Sequence, residues 1–510
     1  MRQWMVAAKK ADFYAIAEKF HVDPVVARII RNREVIGEKN IRIYLGGNLS
    51  DLSDPHQMKD MDRLVEILAQ KIRKQAHIRI IGDYDVDGVT SSHLFLTALR
   101  RVGAKVDVVI PHRIQDGYGL SLHLLQQAKE DGVDTILTCD NGIAAIDEIA
   151  WAKAQKMTVL VTDHHAVPFE EHEGRRTEKK SLADAVVNPH QQDCRYPYKE
   201  LCGAGVAWNV IRVLYENYDM DKREAEDLLD FVAMATVCDV MSLTGENRIL
   251  VKEGLKRIRH TKNIGLQALM QACNVQPENI SAYHFGYVLG PCVNATGRLD
   301  TARHALRLFE TGQETEAEEI ARDLVDLNQE RKELTLQGVE MAKKLCEEGG
   351  YENDPILVLF LPDVHESIAG LIAGRIREMY NRPVFVLTRG EEGVKGSGRS
   401  TENYSMYENM CGCAELFTKF GGHPMAAGLS LPEENVEKFR RKINENCPLT
   451  VEEVCPDIHI DMAMPVGYAS TELVHQFALL EPFGKDNPSP LFADRNLSIS
   501  RMWVIGKNRN

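Results

Sequence analysis

Acidic side chains and histidines follow directly after three short apolar runs that are typical of β-strands. The run 78–81 leads into Gly82-Asp83-Tyr84-Asp85-Val86-Asp87-Gly88, the run 135–139 into Asp140-Asn141-Gly142, and the run 158–162 into Asp163-His164-His165. Asp239 closes a further apolar run, 231–237, that has helical character. Because the carboxyl ends of parallel strands share one edge of a sheet, where open α/β proteins bind ligands, we expect all of these side chains to face one crevice.

The chemistry that such a crevice favours is metal binding. Its six carboxylates and two imidazoles would repel and desolvate one another unless cations were bound between them. Oxygen-rich ligands with a minority of histidine favour Mn²⁺ or Mg²⁺ over structural Zn²⁺. Two such ions about 3.5 to 4 Å apart, bridged by a carboxylate, form the arrangement that cleaves phosphate esters. The sequence therefore predicts a two-metal site for Mn²⁺ or Mg²⁺.

The side chains of this predicted site differ in their expected roles. The first-choice metal ligands are Asp85, Asp87, Asp140, His164 and Asp239. Asp83 and Asp163 are predicted to be further ligands or to lie directly behind them. His165 is predicted to donate a proton or to contact phosphate, because neighbours in an extended segment point in opposite directions. The predicted catalytic residues are thus Asp87, His164 and His165.

Other interpretations of these motifs fit less well. The segment 83–88 resembles the start of a calcium-binding loop, but its twelfth position is Leu94 where a bidentate Glu is needed, and a strand-like run precedes it. A single Asp after a strand is commonly a helix cap, whereas four sites that converge favour metal binding. The segment 203–208 lacks the third glycine of a dinucleotide fingerprint, and no glycine-rich loop ends in Gly-Lys-Ser or Gly-Lys-Thr. We therefore expect Gly203 to begin a helix.

The remaining elements must position these side chains. Short apolar runs at 78–81, 106–110, 135–138, 158–162 and 185–187 alternate with helical stretches, which predicts βαβ units and a mainly parallel sheet. A second α/β pattern follows, with runs at 356–361 and 383–387. We expect a fold of the α/β class with two lobes joined by a long helix. The predicted ranges are an N-terminal helical region at 1–75, a catalytic lobe at 76–300, a connecting helix at 301–350, a second lobe at 351–450, and a partial further domain at 456–510.

Composition sets limits on the class of protein. A share of 44% hydrophobic residues in 510 allows several cores, and 61 Lys and Arg against 75 Asp and Glu give a net charge of −14. That charge speaks against coating nucleic acid by bulk attraction, unless bound metal ions neutralise the clustered carboxylates. The 11 cysteines contain no CxxC pair, as expected for buried thiols in the cytoplasm. No signal peptide or membrane span is expected.

Two glycine-rich segments of the second lobe have features that suit phosphate binding. Segments 395–400 and 420–428 are predicted to be turns that expose backbone N–H groups, although either alone could be a plain turn. Each carries a donor side chain, Arg399 or His423, and Arg298 in the polar segment 294–298 is a third donor. The predicted substrate-binding residues are Asn294, Arg298, Ser397, Arg399, Gly421, Gly422 and His423.

Several of these motifs resemble those of a known family. The four acidic motifs, at 82–88, 140–142, 163–165 and 239, resemble those of the DHH phosphoesterases, and 421–423 with 426–428 is similar to the signature of the DHH-associated domain. The segments 294–298, 397–400 and 481–488 resemble the RecJ family of bacterial exonucleases, and the resemblance runs from about residue 40 to the end. Two departures are Val364-His365-Glu366-Ser367, where the family often has Trp-His before a glycine, and Ile81, where many relatives have histidine.

The resemblance implies a function. It implies 5′→3′ degradation of single-stranded DNA in recombination and repair, with Mn²⁺ or Mg²⁺ as cofactor and with the strand held between the two lobes. It also implies a β-barrel OB-fold, of which only the first portion fits between 456 and 510, and single-strand-binding protein and a helicase as partners.

Two alternatives remain at this point. One is a DHH enzyme for short oligonucleotides, cyclic dinucleotides or pyrophosphate, against which the additional terminal regions argue. The other is a non-catalytic replication scaffold, against which the intact ligand set argues.

Overall fold

The structure is a computed structural model that describes residues 4–113, 116, 117, 119–172, 175–351, 353–390, 393–447, 449–454 and 457–504. Its strands, in chain order, are β1 (Trp4–Val6), β2 (Ile78–Ile81), β3 (Val106–Val109), β4 (Thr135–Cys139), β5 (Thr158–Thr162), β6 (Phe169–His172), β7 (Arg175–Glu178), β8 (Ala185–Val187), β9 (Leu357–Phe360), β10 (Val384–Gly390), β11 (Gly393–Arg399), β12 (Lys419–His423), β13 (Ala426–Leu431), β14 (Ile458–Ile460), β15 (Met462–Ala463) and β16 (Phe492–Ala493).

Twenty α-helices are found in the described residues. They are α1 (Phe13–Phe20), α2 (Pro24–Asn32), α3 (Glu38–Gly46), α4 (Met61–Arg73), α5 (Val86–Arg101), α6 (Leu122–Glu130), α7 (Ile146–Ala154), α8 (Gly203–Asn217), α9 (Arg223–Glu226), α10 (Leu229–Cys238), α11 (Gly245–Ile258), α12 (Ile264–Ala272), α13 (Ala282–His284), α14 (Gly290–Leu299), α15 (Ala302–Glu310), α16 (Glu314–Glu348), α17 (Glu366–Tyr380), α18 (Met406–Cys411), α19 (Val436–Glu445) and α20 (Thr471–Gln476). The π-helical turn Phe285–Leu289 joins α13 to α14. Among the described residues, no helix combines the length and the hydrophobicity that a membrane span requires.

A five-stranded sheet forms the centre of the first lobe. Its order is β3-β2-β4-β5-β8, and all neighbouring strands are parallel. Ile80 packs into the core that α4, α5 and α8 share, and its neighbour Ile81 packs on the opposite face with α6 and α7. Strands covered on both faces produce continuous apolar runs, and for this reason the five strands were predicted within one residue of their bounds.

The sheet of the second lobe corrects one prediction. Its order is β12-β13-β11-β10-β9, with only β9 and β10 parallel. Segments 395–400 and 420–428 were expected to be turns, but most of 395–400 is β11, which pairs on both edges. Most of 420–428 belongs to β12 and β13, which pair as a hairpin. The glycines of β11 serve close packing: a Cβ at Gly396 would lie 2.4 Å from Leu387 Cδ2, and one at Gly398 would lie 2.3 Å from Met406 Sδ.

The helical connection between the lobes is divided in two. The predicted helix 301–350 ends first with α15, and α16 starts again after the turn 311–313, where the Thr311 hydroxyl accepts a hydrogen bond from Gln313 N at 3.1 Å. The first half of α16 places Leu324 in the core of the first lobe, and its second half places Ala342 in the core of the second. The 35-residue helix therefore packs into both lobes.

The chain forms two compact units. The larger comprises the described residues of 47–455 and 482–486, and the smaller those of 1–46, 456–481 and 487–510. In the smaller unit β1 pairs with β14 in parallel, Arg33 forms an ion pair with Asp461 at 2.6 Å, and Tyr44 Oη donates to Asn487 Oδ1 at 2.8 Å. The predicted helical region 1–75 thus contains a strand and is divided after residue 46, because partners more than 400 residues away leave no local pattern.

Candidate metal centre

His164 lies at the middle of the acidic edge. Its Nε2 is 3.1 Å from Asp140 Oδ1, 3.7 Å from Asp87 Oδ2 and 3.6 Å from Asp239 Oδ2. Asp140 directly follows β4 in a left-handed conformation, with φ of 62°, and Asp239 directly follows α10. Sheet and helix ends therefore bring together four of the side chains that the sequence placed in one crevice.

A second group of carboxylates adjoins the first. Asp83, Asp85 and Asp140 each offer an oxygen atom within 4.8 Å of the other two. Asp85 caps α5 and accepts a hydrogen bond from Gly88 N at 3.0 Å. A Cβ at Gly88 would lie 2.5 Å from the backbone nitrogen of Asp83, so this glycine allows the loop to fold tightly against the helix start. Asp140 thus belongs to two groups of potential ligands.

The donor set fits divalent cations. Burial, followed by the charges of neighbouring carboxylates, raises the pKa of Asp83, Asp85, Asp140 and Asp239. Within the described chain, Asp83 Oδ1 and His164 Nε2 are buried without a hydrogen-bond partner. Burial also lowers the pKa of His164, which favours the neutral imidazole that binds metals. Cations at this edge would satisfy these atoms and remove the repulsion.

Asp163 has a different place from the other carboxylates. Its Oδ1 accepts from His164 N at 2.7 Å and from His165 Nδ1 at 2.8 Å, while Oδ2 accepts from Ile143 N at 2.9 Å. It therefore orients the two histidines from behind, one of the two positions predicted for it. Burial works against a charge on His165, but the Asp163 carboxylate outweighs this and raises the pKa of His165 to about 9. A half-exposed imidazole, whose protonated form Asp163 favours, thus lies at the rim of the centre.

Asp87 is fixed by the start of α8. Its two oxygens accept from Gly203 N at 2.6 Å and Ala204 N at 2.8 Å. A Cβ at Gly203 would lie 2.6 Å from Asp140 Cβ. The prediction that Gly203 begins a helix is confirmed, but its contact with the centre was missed. The close pair of glycines at this helix start was the signal that could have indicated it.

A pocket of about 440 Å³ lies beside this edge, between the two lobes. Tyr84 and Arg113 line it from the first lobe, and Ser367, Ser397 and Gly421 line it from the second. Ser397 and Gly421 were predicted to bind substrate. Arg113 was missed, although it follows the carboxyl end of β3 and the same rule that located the carboxylates applies to it.

Arginine side chains gather near this pocket. Arg113 lies over the Tyr84 ring at 4.9 Å, and Arg298 Nη1 donates to Ser367 O at 2.7 Å, at the start of α17. Arg399 Nη1 donates to Gly398 O at 2.7 Å, and a Cβ at Gly370 of α17 would lie 2.9 Å from its Nη2. Burial first, and then the charge of Arg113, lowers the pKa of Arg399 and of Arg298, the latter to about 10. Cations that repel one another beside a helix N-terminus favour an anionic ligand.

Three predicted substrate-binding residues lie elsewhere. Segment 294–298 is helical, and Asn294 Oδ1 accepts from Val86 N at 3.2 Å, so this side chain holds the Asp85 loop. Gly422 and His423 are exposed residues of β12 near its hairpin with β13, and neither is among the described residues that line the pocket. Their predicted contact with substrate remains a prediction.

Comparisons with known proteins agree with this architecture. Family models match at 77–236 (DHH family, N-terminal domain), 353–447 (DHHA1 domain) and 460–510 (RecJ OB domain). The fold and the acidic edge thus define a protein of the DHH class, and the predicted fold class is confirmed.

Individual relatives identify the family within this class. The single-stranded-DNA-specific exonuclease RecJ of Haemophilus influenzae is 34% identical, over 96% of this chain and 86% of the relative. RecJ of Bacillus subtilis is 33% identical over 97% of this chain, which spans 62% of that relative's length. The solved structure of Thermus thermophilus RecJ with Mn²⁺ has a TM-score of 0.81, with 28% identity over 96% of this chain and 69% of the other, and its Mg²⁺ complex has a TM-score of 0.76, with 27% identity over 96% and 67%. The chain belongs to the RecJ family.

Proposed function

We propose that the protein is a Mn²⁺- or Mg²⁺-dependent exonuclease that degrades single-stranded DNA from the 5′ end, in recombination and repair. The observation that carries the proposal is the acidic edge around His164, with its buried ligand atoms that have no hydrogen-bond partner. Next to this edge lies a pocket that Arg113 lines, with Arg298 and Arg399 close to it. The relatives' names give the substrate, and their solved complexes with Mn²⁺ and Mg²⁺ support the choice of metal.

The metals would be held by the carboxylates and the imidazole of the edge. The proposed ligands are Asp83, Asp85, Asp87, Asp140, His164 and Asp239. Divalent ions at such a centre activate water and stabilise the leaving oxygen of a phosphodiester. The N–H groups that start α8 keep Asp87 in place, and Asp163 does the same for His164 and His165. His165, at the rim, would contact the phosphate or donate a proton to the leaving oxygen.

The arginines in and beside the pocket determine from which end the strand is degraded. Arg113, Arg298 and Arg399 would hold a terminal 5′-phosphate at the start of α17, while the adjoining phosphodiester lies over the acidic edge. An enzyme that holds the strand end in this way removes nucleotides from that end. A crevice between two lobes admits one flexible strand more readily than a stiff duplex.

Cellular context follows from the substrate. Single-strand-binding protein and a helicase, which hold or produce single strands, are proposed as partners. We also propose a cytoplasmic location, supported by the mostly buried free cysteines among the described residues.

One assay separates the proposed activity from the alternatives. A 5′-phosphorylated 20-mer, its blunt duplex and a dinucleotide are incubated with Mn²⁺ or with a chelator. We expect stepwise release of nucleotides from the 5′ end of the single strand, little from the duplex, and none in chelator. Hydrolysis of the dinucleotide alone would indicate a small-substrate enzyme, and no hydrolysis with Mn²⁺ would indicate a scaffold.

A further inference from the structure

Two tyrosines form an exposed stacked pair on the first lobe. The rings of Tyr283 and Tyr287 are 5.1 Å apart and 24° from parallel, and the residues are 62% and 71% exposed. They lie one turn apart on a continuous helix, which is formed by α13, the π-helical turn and α14. Large aromatic faces presented to solvent in this way are typical of a binding surface.

The same helix ends beside the pocket between the two lobes. Asn294 on α14 holds the loop of Asp85, and Arg298 reaches the start of α17. At 1.5 Å rise per residue, Arg298 lies about 16 Å along the helix from Tyr287. Stacked nucleotides repeat at about 3.4 Å along one strand, so this span corresponds to several nucleotides. A strand anchored at Arg298 is long enough to reach the tyrosines.

This helix packs directly against the end of α10 that carries a proposed metal ligand. Cys238 Sγ donates to Phe285 O at 3.3 Å, and a Cβ at Gly290 would lie 2.3 Å from Cys238 Sγ. The next residue of the chain is Asp239. The tyrosine pair therefore belongs to an element in contact with the rim of the metal centre.

Val240, immediately after Asp239, is held in an unfavourable backbone conformation. Its φ is 54° and the residue is 62% exposed. Hydrogen bonds from Val240 N to Val237 O at 3.2 Å and from Met241 N to Thr236 O at 3.1 Å close the end of α10. Glycine or asparagine usually occupies this position, and no other β-branched residue in the described part of the chain has a positive φ. Packing does not explain an exposed valine there, and residues held in strained conformations cluster at active sites and ligand-binding sites.

We propose that Tyr283, Tyr287 and Val240 form an apolar platform on which bases of the bound single strand stack as its phosphates pass the metal centre. The proposal rests on the proposed exonuclease function and adds residues to its substrate path. Aromatic faces bind every base, because each base has a π-face. The platform therefore holds the strand without selecting its sequence, and it acts only on strands long enough to reach it.

The first test compares Tyr283→Ala/Tyr287→Ala with Tyr283→Phe/Tyr287→Phe. For a 5′-phosphorylated 20-mer we expect the alanine variant to raise KM about tenfold or more, with kcat nearly unchanged. Cleavage of a 5′-phosphorylated dinucleotide, which is too short to reach the platform, should stay within about twofold of the wild type. The phenylalanine variant should behave as the wild type on both. Binding of a fluorescent 20-mer in chelator, where nothing is hydrolysed, should weaken in parallel.

The second test uses the strain at Val240. Val240→Gly should raise Tm, because glycine adopts this φ without strain, and should lower kcat/KM on the 20-mer. Lys156, exposed at φ of 65° before β5, lies at the opposite edge of the sheet. Lys156→Gly should raise Tm without changing kcat/KM.

Each remaining outcome is decisive. The platform is contradicted if the alanine variant has the same KM as the wild type on the 20-mer. It is also contradicted if the alanine variant loses the same activity on the 20-mer and on the dinucleotide. An unchanged 20-mer kcat/KM in Val240→Gly overturns the role of Val240. A wild type that hydrolyses neither substrate overturns the proposed function instead, and binding in chelator then still reports on the tyrosines.

Discussion

The carboxylate of Asp87 accepts a hydrogen bond from the backbone nitrogen of Gly203 at 2.6 Å, across 116 positions of the chain. Its other oxygen is held by Ala204 N. A proposed metal ligand is therefore also the group that satisfies the first N–H groups of α8, so that folding and metal binding depend on the same side chain.

This double role predicts a difference between two proposed metal ligands. Asp87→Ala and Asp239→Ala should both abolish hydrolysis, but Asp87→Ala also leaves two buried N–H groups without an acceptor. We expect its free energy of unfolding to fall about 1 to 3 kcal/mol further than that of Asp239→Ala, because Asp239 is partly exposed. Urea unfolding in chelator measures this, and equal stabilities would show that the α8 contacts are unimportant.

The glycine at the start of α8 offers a second test. In Gly203→Ala the new methyl group would press on Asp140, and we expect Mn²⁺ affinity, measured by calorimetry, to fall about 10- to 100-fold, as for other groups behind metal ligands. Gly205→Ala is the matched control, since its Cβ would lie 3.4 Å from Leu201, an ordinary contact. Equal affinities in the two variants would contradict the proposed packing at Asp140.

Arg399 is proposed to hold the terminal phosphate. Arg399→Ala should weaken binding of 5′-phosphorylated strands by about 1.5 to 3 kcal/mol more than binding of 5′-hydroxyl strands, since a charge-assisted contact is lost. Arg389→Ala is the control, because Arg389 is exposed in the same sheet and pairs with Glu433 at 2.8 Å. Equal losses on both strands, or digestion from the 3′ end, would show that Arg399 binds the backbone without regard to its end.

The acidic edge was predictable from the sequence because buried parallel strands leave continuous apolar runs, and the residue after each run then lies at a known edge. β11 was not predictable as a strand, since four of its seven residues are Gly or Ser and glycine has low strand propensity. The hydrogen bonds of Asp87 with α8 and the pairing of β1 with β14 join distant segments. Contacts of this kind depend on tertiary packing and leave no local period.

Asp230 predicts a pH dependence of stability away from the metal centre. Burial raises the pKa of this carboxyl to about 6, although Thr261 donates to it at 2.6 Å. A carboxyl group whose pKa is raised on folding makes its full contribution to the stability of the fold at pH values below its pKa in the unfolded chain, which is near 3.8. This contribution is lost as the pH rises through the folded-state pKa of about 6. The free energy of unfolding of Asp230→Asn, relative to that of the wild type, should therefore increase by about 2 to 3 kcal/mol between pH 4 and 7.

Urea unfolding in chelator at several pH values measures this difference. Asp227→Asn is the control, because Asp227 is exposed and pairs only weakly with Lys262 at 3.7 Å. A gap between Asp230→Asn and the wild type that does not change with pH would contradict the raised pKa of Asp230.

The most direct test of the metal centre is anomalous diffraction from crystals grown with Mn²⁺. We expect two peaks about 3.5 to 4 Å apart, at ligand distance from oxygen atoms of Asp83, Asp85, Asp87, Asp140 and Asp239 and from His164 Nε2. The absence of peaks at this edge, or Mn²⁺ bound at other residues, would contradict the two-metal centre and the hydrolytic function built on it.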